Sequence, residues 1–323
     1  MEQESEYVIL GGCDGIGYAF AKCLLAQKVT FTMVVSREEL VCSVFYASPL
    51  VQIVYGQYDD AQVLTEAARG KKFLFFAGDR VHGRQPQTHT FIIANIISVA
   101  ARWNLLLIYP GDICQFSGSD IITEKTFPAP VTTRGLLETQ IEDLLLQSAV
   151  EMRCRVLIVR LPVLWGPNST DSVILDLFRI NLHPKAIYFP VNADIPMQFA
   201  YSEDVAALIF KLIYHDVSLP FRVYNYSGGK VMTVRSFAEE ISRVTGVSRN
   251  MVIINRWVIC ILSVFSSQWS QIKSRLPCFR KSFVLDGSLV DAIFPGQKET
   301  GIDEAIDTTV TWLSGKDSGR AGC

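Results

Sequence analysis

Between Tyr7 and Pro167 short apolar runs alternate with longer amphipathic stretches, and the runs are apolar at nearly every position. "EYVILGG", "VTFTMVVS", "VQIVYG", "KFLFFAG", "LLLIYPG" and "RVLIVRLPVLWGP" read as six strands. "YAFAKCLLAQ", "AQVLTEAARG", "FIIANIISVAARWN" and "LETQIEDLLLQSAV" read as helices set among them. A continuously apolar strand must be buried on both faces, which a parallel sheet with helices on each side provides. The expected fold class is therefore α/β, a doubly wound parallel sheet. Right-handed connections put the first strand mid-sheet, with its loop at the topological switch point.

The junction of the first strand and first helix reads "LGGCDGIG". Gly11, Gly15 and Gly17 have the spacing G-x-x-x-G-x-G. The first permits a tight turn, the second lets backbone approach a diphosphate, and the third lets helix and strand pack closely. With Gly12 and Ile16 between them, these residues form a candidate dinucleotide-binding turn; the competing reading is a tight turn that holds no cofactor. The position after the second strand selects between cofactors. A carboxylate there would bond a ribose 2′-hydroxyl, but the chain reads Val35-Ser36-Arg37. Ser36 and Arg37 suit a 2′-phosphate and favour NADP, with NAD as the alternative. Glu38 and Glu39 stand beside Arg37 and also fit a solvated arginine at a helix start. Asp59 and Asp60, after the third strand, fall near an adenine or cap the next helix. Ala77 and Gly78 close the fourth strand, where small residues let the chain lie along a cofactor.

After Pro167 the rhythm degrades. "DSVILDLFRI" reads as helical, "AIYFPVN" as extended, "SEDVAALIFKLIYH" as a capped helix and "RVYNYS" as a strand. "TVRSFAEEISRVTG" is a helix capped by Thr233 and stopped by Gly246. Residues 1–165 form the expected dinucleotide-binding core, its sheet completed by 198–226. Residues 166–197 and 227–315 form a smaller, mainly helical substrate or lid portion, and 316–323 a frayed tail.

The chain has 323 residues, 49% of them hydrophobic, and a net charge of −2. That balance argues against a nucleic-acid footprint. The start "MEQESEYVIL" lacks the basic region and long apolar stretch of a secretory signal, so a cytoplasmic protein is expected. Eight cysteines without C-x-x-C spacing read as free thiols, and no metal site is expected. Asn168 opens a formal glycosylation sequon, which carries nothing without secretion. "WVICILSVF" is too short for a membrane span. It reads as a buried or lid helix, with weak monotopic membrane contact as the other reading.

From Tyr7 to Leu313 the chain resembles the short-chain dehydrogenase/reductase superfamily, in its extended and atypical branch, the NAD-dependent epimerase/dehydratase family. The resemblance rests on the order of "LGGCDGIG", "GKKFLFFAG", "FIIANIISVAARWNLLLIYPGDI", "TEKTFPAPVTTRGLLETQIEDLL", "VRLPVLWGP", "PMQFAYSEDVAALI" and "LDGSLVDAIFPGQKETGIDEAIDTTVTWL". It implies a Rossmann core and a bound NAD(P). It also implies a Tyr-x-x-x-Lys pair on the helix after the fifth strand, with a Ser or Thr at that strand's end. Here Arg134 and Glu138 occupy the Tyr and Lys positions, and Gly111 and Asp112 close the strand, so the whole relay is altered. Asn95 matches the family and shapes its helix. Gln198 and Tyr201 fall on the substrate side of the cleft in extended members, and Tyr109, at the end of the fifth strand, joins them as a candidate. Tyr109, Tyr201 and Lys125 are candidate substitute acids, each more readily structural, and His82, His89, His183 and His215 have no nearby Asp or Ser pattern of a triad. The expected pairing of Arg134 with Glu138 is a surface (i, i+4) ion pair.

Three functions follow: an NAD(P)-binding epimerase/dehydratase-like protein, an oxidoreductase or isomerase acting on a small molecule with a relocated acid/base group; a non-catalytic NADP-binding regulator or scaffold; and an RNA-binding member similar to the chloroplast stem-loop binders. The near-neutral charge counts against the third. Oligomeric state is open, a homodimer being one assembly.

Overall fold

The computed structural model describes residues 5–36, 41–77, 86–116, 120–169, 174–178, 187–189, 192–247, 251–266 and 282–315, with positions 269 and 273. Strand β1 (Tyr7–Leu10) shows why its sequence is apolar throughout. Tyr7 and Ile9 enter one core layer, while Val8 and Leu10 enter the layer on the other face. Successive strand residues point to opposite faces, and here both faces are covered.

Helix α1 (Gly15–Ala26) follows, then β2 (Phe31–Val35), α2 (Ser43–Tyr46), β3 (Val51–Tyr55), α3 (Ala61–Ala67), β4 (Phe73–Phe76) and α4 (Pro86–Trp103). The core continues through β5 (Leu106–Asp112), β6 (Ile121–Ile122), α5 (Thr133–Val150), β7 (Arg155–Leu161) and β8 (Val163–Trp165). Then come α6 (Leu175–Phe178), β9 (Ile187–Phe189), β10 (Pro196–Tyr201), α7 (Ser202–Ile213) and β11 (Phe221–Asn225). The main sheet has seven strands in the order β11-β7-β5-β4-β1-β2-β3, every pair parallel. As expected, β1 lies inside the sheet, and the order reverses between it and β4.

Helices α1 and α7 cover one face, where the Phe20 and Phe75 rings stack at 4.2 Å. Helices α3, α4 and α5 cover the other, with Ile96 and Leu145 fully buried. Each such side chain contributes about 1.5–3 kcal/mol of burial.

The sixth run departs from the sequence reading. "RVLIVRLPVLWGP" is two strands, broken at Pro162, which has no N–H for a ladder. β7 stays in the main sheet, whereas β8 leaves it to pair with β10, itself paired with β12 (Lys230–Thr233). Thus β11 joins the main sheet and β10 does not.

A third apolar cluster, built around Trp165, Phe178, Phe199 and Phe237, centres this later portion. Helix α8 (Val234–Thr245) has its predicted ends: the Thr233 side chain accepts the Ser236 N–H, and Gly246 is left-handed at φ +71°. Strand β13 (Met251–Ile253), helix α9 (Arg256–Phe265), β14 (Val284–Leu285) and helices Ser288–Ile293 and Ile302–Leu313 complete the described chain. Among the described residues, no helix is long and apolar enough to cross a membrane.

Candidate functional site

The glycine turn lies at the carboxyl end of β1, beside the reversal in strand order. Gly11 and Gly15 take positive φ values of +83° and +52°, which side-chain-bearing residues adopt at a cost. At Gly17 the constraint is space. A Cβ there would lie 1.9 Å from the Gly11 carbonyl oxygen and 2.9 Å from Ala77 Cβ. Gly12 is backed by Met33, whose Cε would lie 2.8 Å from an added Cβ. Helix α1 therefore starts pressed against the ends of β1 and β4.

Asp14 is its extended N-cap residue, but the carboxylate makes no capping bond to the helix. Among the described residues, the backbone N–H groups of Ile16 and Gly17 have no acceptor, which is how a helix presents donors to an anion. The Gly15 N–H donates to the Asn168 carbonyl at 2.9 Å, and Asn168 Nδ2 donates to the Cys13 carbonyl at 2.5 Å. Asn168, buried and at φ +60°, thus anchors the segment after β8 onto the turn. Its sequon gave no hint of that role.

Around the sheet edge, Ser36 is half-buried directly after β2. Arg37, Glu38, Glu39 and Gly78 lie outside the described residues, as do His82 and His183. Asp60 caps α3: its Oδ1 accepts the Gln62 and Val63 N–H groups at 3.0 and 3.2 Å. The neighbouring Asp59 is half-buried, and its carbonyl accepts a hydrogen bond from Asn95 Nδ2 at 3.1 Å, tying α4 to the loop after β3. Ala77 is buried, with its N–H on the Leu10 carbonyl.

The ends of β5 and α5 meet two strands away. Thr132 caps α5 by accepting the Gly135 N–H at 2.9 Å. Gly135 is required there, because a Cβ would lie 2.5 Å from the Cys114 carbonyl. This close approach brings Arg134, Glu138 and Glu142 over the β5 terminus. The expected surface pair does not form. Arg134 Nε instead donates to Asp112 Oδ2 at 2.7 Å, and Asp112 Oδ1 accepts the Cys114 N–H. Glu138 is only 1% exposed and accepts the Tyr109 hydroxyl at 2.8 Å. Helix spacing allowed an Arg134–Glu138 pair, but Glu138 lies on the face of α5 that packs onto the sheet.

A second charge pair lies deeper. Arg160, near the carboxyl end of the apolar strand β7, forks onto Glu142, with Nη2 to Oε2 at 2.8 Å and Nε to Oε1 at 3.2 Å. Its guanidinium covers the Phe116 ring at 4.6 Å, and Gln115 Nε2 donates to the same carboxylate at 2.6 Å. The charges then balance. Arg134 serves Asp112 and Arg160 serves Glu142. Burial above all, with the Asp112 charge next, pushes the Glu138 carboxyl up to about 8. It is chiefly a neutral acid at pH 7. Burial and Glu138 together hold the Tyr109 phenol well above its ordinary range. A lysine at position 138 would lower a nearby phenol; the residues present raise it.

Arg160 was legible as a charge inside an apolar run that needed a buried partner. Glu142, one helical turn after Glu138, was its nearest candidate on α5. Gln198 is buried, with Nε2 on the Gly228 carbonyl at 2.7 Å and Oε1 accepting the Leu285 N–H at 2.9 Å. Tyr201 packs on Trp165 at 5.2 Å and lines a small cavity with Asp204, Lys230 and Glu299. Lys125 is exposed in the β6–α5 connection.

No family model matches the chain, and no curated protein matches it in sequence. Solved structures do match. A UDP-glucuronic acid 4-epimerase from Bacillus cereus, in complex with UDP-glucuronic acid and NAD, superposes with TM-score 0.79 at 11% identity, over 96% of this chain and 99% of that one. A UDP-glucose 4-epimerase from Thermotoga maritima, with UDP-glucose, gives 0.77 at 15% identity over the same shares. A dTDP-glucose 4,6-dehydratase from Bacillus anthracis, in complex with NAD, gives 0.75 at 14% over 97% of each chain. The fold is that of the nucleotide-sugar epimerases and dehydratases. Within this epimerase/dehydratase fold the glycine turn suits a dinucleotide diphosphate, with the Ile16 and Gly17 N–H groups unpaired among the described residues. The β5–α5 end lacks both the phenol and the ammonium of the relay.

Proposed function

We propose that the chain is an epimerase/dehydratase-like protein of the cytoplasm that binds a nicotinamide dinucleotide along the carboxyl edge of the sheet, with a nucleotide-linked sugar as its second ligand. The observation that carries this reading is the approach of Gly17 to the Gly11 carbonyl and Ala77, with the Ile16 and Gly17 N–H groups unpaired. Gly11, Gly12, Gly15, Ile16 and Gly17 hold the diphosphate. Ser36 and Arg37 take a 2′-phosphate, which makes NADP the preferred cofactor. The superposing epimerases, solved with UDP-glucuronic acid and with UDP-glucose, support the sugar-nucleotide class.

When bound, the nicotinamide ring accepts or returns a hydride. Proton transfer beside it falls to Asp112 rather than to a phenol. Arg134 is a permanent cation that orients this carboxylate and takes no proton itself. Side-chain exposures of 25% for Arg134 and 23% for Asp112 leave the pair within reach of a ligand. Tyr109 and Glu138 are sealed beneath it and hold a proton without passing it on. Of the residues expected on the substrate side, Tyr201 borders a cavity, while Gln198 is committed to Gly228 and Leu285.

The test follows conversion of UDP-glucose, UDP-galactose and UDP-glucuronic acid in the presence of NAD or NADP, together with dinucleotide affinity. Asp112→Asn should abolish conversion and leave dinucleotide affinity within about twofold, since the diphosphate site is remote. Undiminished conversion by Asp112→Asn would remove Asp112 from the chemistry. Absence of dinucleotide binding by the parent would remove the whole reading.

A further inference from the structure

Helix α9 is apolar on the wrong side for a core helix. Ile259 faces inward and is fully buried. Trp257, Ile261, Val264 and Phe265, spaced i, i+4, i+7 and i+8, share the opposite face and are 76%, 62%, 77% and 83% exposed. Val252 and Ile253 of the preceding β13 are exposed as well. The sequence reading as a buried helix therefore holds for one side only, and a contiguous apolar face of this kind marks an interaction surface.

The charge of the sequence that carries the helix points to the partner. From Arg256 to Lys281 the sequence carries five Lys/Arg residues and no Asp or Glu, within a chain of net charge −2. Those residues are Arg256, Lys273, Arg275, Arg280 and Lys281. An apolar face with Trp and Phe in a locally all-basic stretch has the chemistry of a helix that lies in the interface of an anionic bilayer. We propose that α9 docks this protein on anionic phospholipid membranes, lying parallel to the surface with Trp257, Ile261, Val264 and Phe265 among the upper acyl chains. At ten residues the helix is far too short to span, so the contact is peripheral and reversible. Lipid fits better than a protein groove because the exposed face of α9 offers aromatic and aliphatic groups, with no patterned polar anchors to fix a register.

The test sediments the full chain with vesicles of phosphatidylcholine alone or mixed with phosphatidylserine, at low and high salt. The protein should pellet with the mixed vesicles, remain largely in solution with phosphatidylcholine alone, and be released as salt rises. Trp257→Ser/Phe265→Ser, both at exposed positions, should reduce affinity for mixed vesicles by about tenfold or more, with the melting temperature unchanged. Lys273→Gln/Arg275→Gln should weaken low-salt binding and flatten the salt dependence. No binding to mixed vesicles at low salt, or full binding by the Trp257/Phe265 variant, would overturn the proposal. So would a light-scattering dimer that the same variant dissolves while vesicles bind neither protein, because a second copy would then cover the face.

Discussion

At the β1 end of the sheet's carboxyl edge, three glycines and Ala77 press helix and strands together and leave backbone donors unpaired. At the β5 end, two strands away, charged side chains are paired with one another: Asp112 with Arg134, and Glu142 with Arg160. The first region leaves backbone donors for a ligand; the second supplies its own counter-ions. Binding a dinucleotide and moving a proton beside it are thus separable demands on this fold. The first needs small residues and free N–H groups. The second needs an exposed group of tuned pKa, and the neutral Glu138 has the tuning without the exposure.

The sharpest way to break this contrast is at the deep ion pair. Arg160→Met strands the Glu142 carboxylate, and urea unfolding should show a loss of about 3–5 kcal/mol. Arg160→Met/Glu142→Leu should recover much of it. A loss below about 1 kcal/mol in the single variant would mean that water reaches the Arg160–Glu142 pair and that this pair is not sealed. Next is the opposite end. Gly17→Ala forces a Cβ against the Gly11 carbonyl and should cost about 1–3 kcal/mol in the same assay while removing dinucleotide binding.

How far the sequence reveals this contrast differs between its two halves. The turn is legible because backbone geometry dictates it: glycine alone tolerates the φ of Gly11 and the crowding at Gly17. Thr233, Gly246 and the Asp60 cap are legible for the same local reason. The β5 end is less so, because its partners are distant in sequence. Arg134 and Glu138 satisfy a helical ion-pair spacing, yet Asp112 and Tyr109 from β5 claim them once α5 is seated. Replacing both Arg134 and Glu138 by Ala therefore removes a partner from each of two half-buried or buried contacts, not one exposed ion pair. Helix α9 misleads differently. Its composition is that of a core helix, and only the seating of Ile259 reveals that the other face is left exposed.

Two smaller effects sharpen the comparison. If Arg37 meets a 2′-phosphate, Arg37→Ala should erase a preference of about tenfold for NADP over NAD, a difference of ~1.4 kcal/mol, in equilibrium titrations at low salt. Glu138 supplies a pH signature. Its folded pKa of about 8 exceeds the 4.5 of a freely solvated glutamate, so the folded state holds an extra proton between those limits. The stabilisation linked to that proton is complete below 4.5 and is lost as pH rises through about 8. Glu138→Gln keeps an acceptor for Tyr109 and carries no charge. It should be the more stable protein at pH 8–9, by about 1 kcal/mol, with a flatter profile from pH 5 to 8. Parallel profiles for parent and variant would show that Glu138 is not neutral in the fold.

The most direct test of the central contrast is calorimetric titration of NADP and NAD into the parent, Gly15→Asp and Asp112→Asn at equal pH and salt. A dinucleotide should bind the parent and Asp112→Asn with affinities within about twofold of each other. Gly15→Asp, which sets a carboxylate at the start of α1, should show no heat of binding while still unfolding cooperatively, at a melting temperature lowered by a side chain at positive φ. Binding by Gly15→Asp as tight as that of the parent, or loss of binding in Asp112→Asn with the fold intact, would contradict the account.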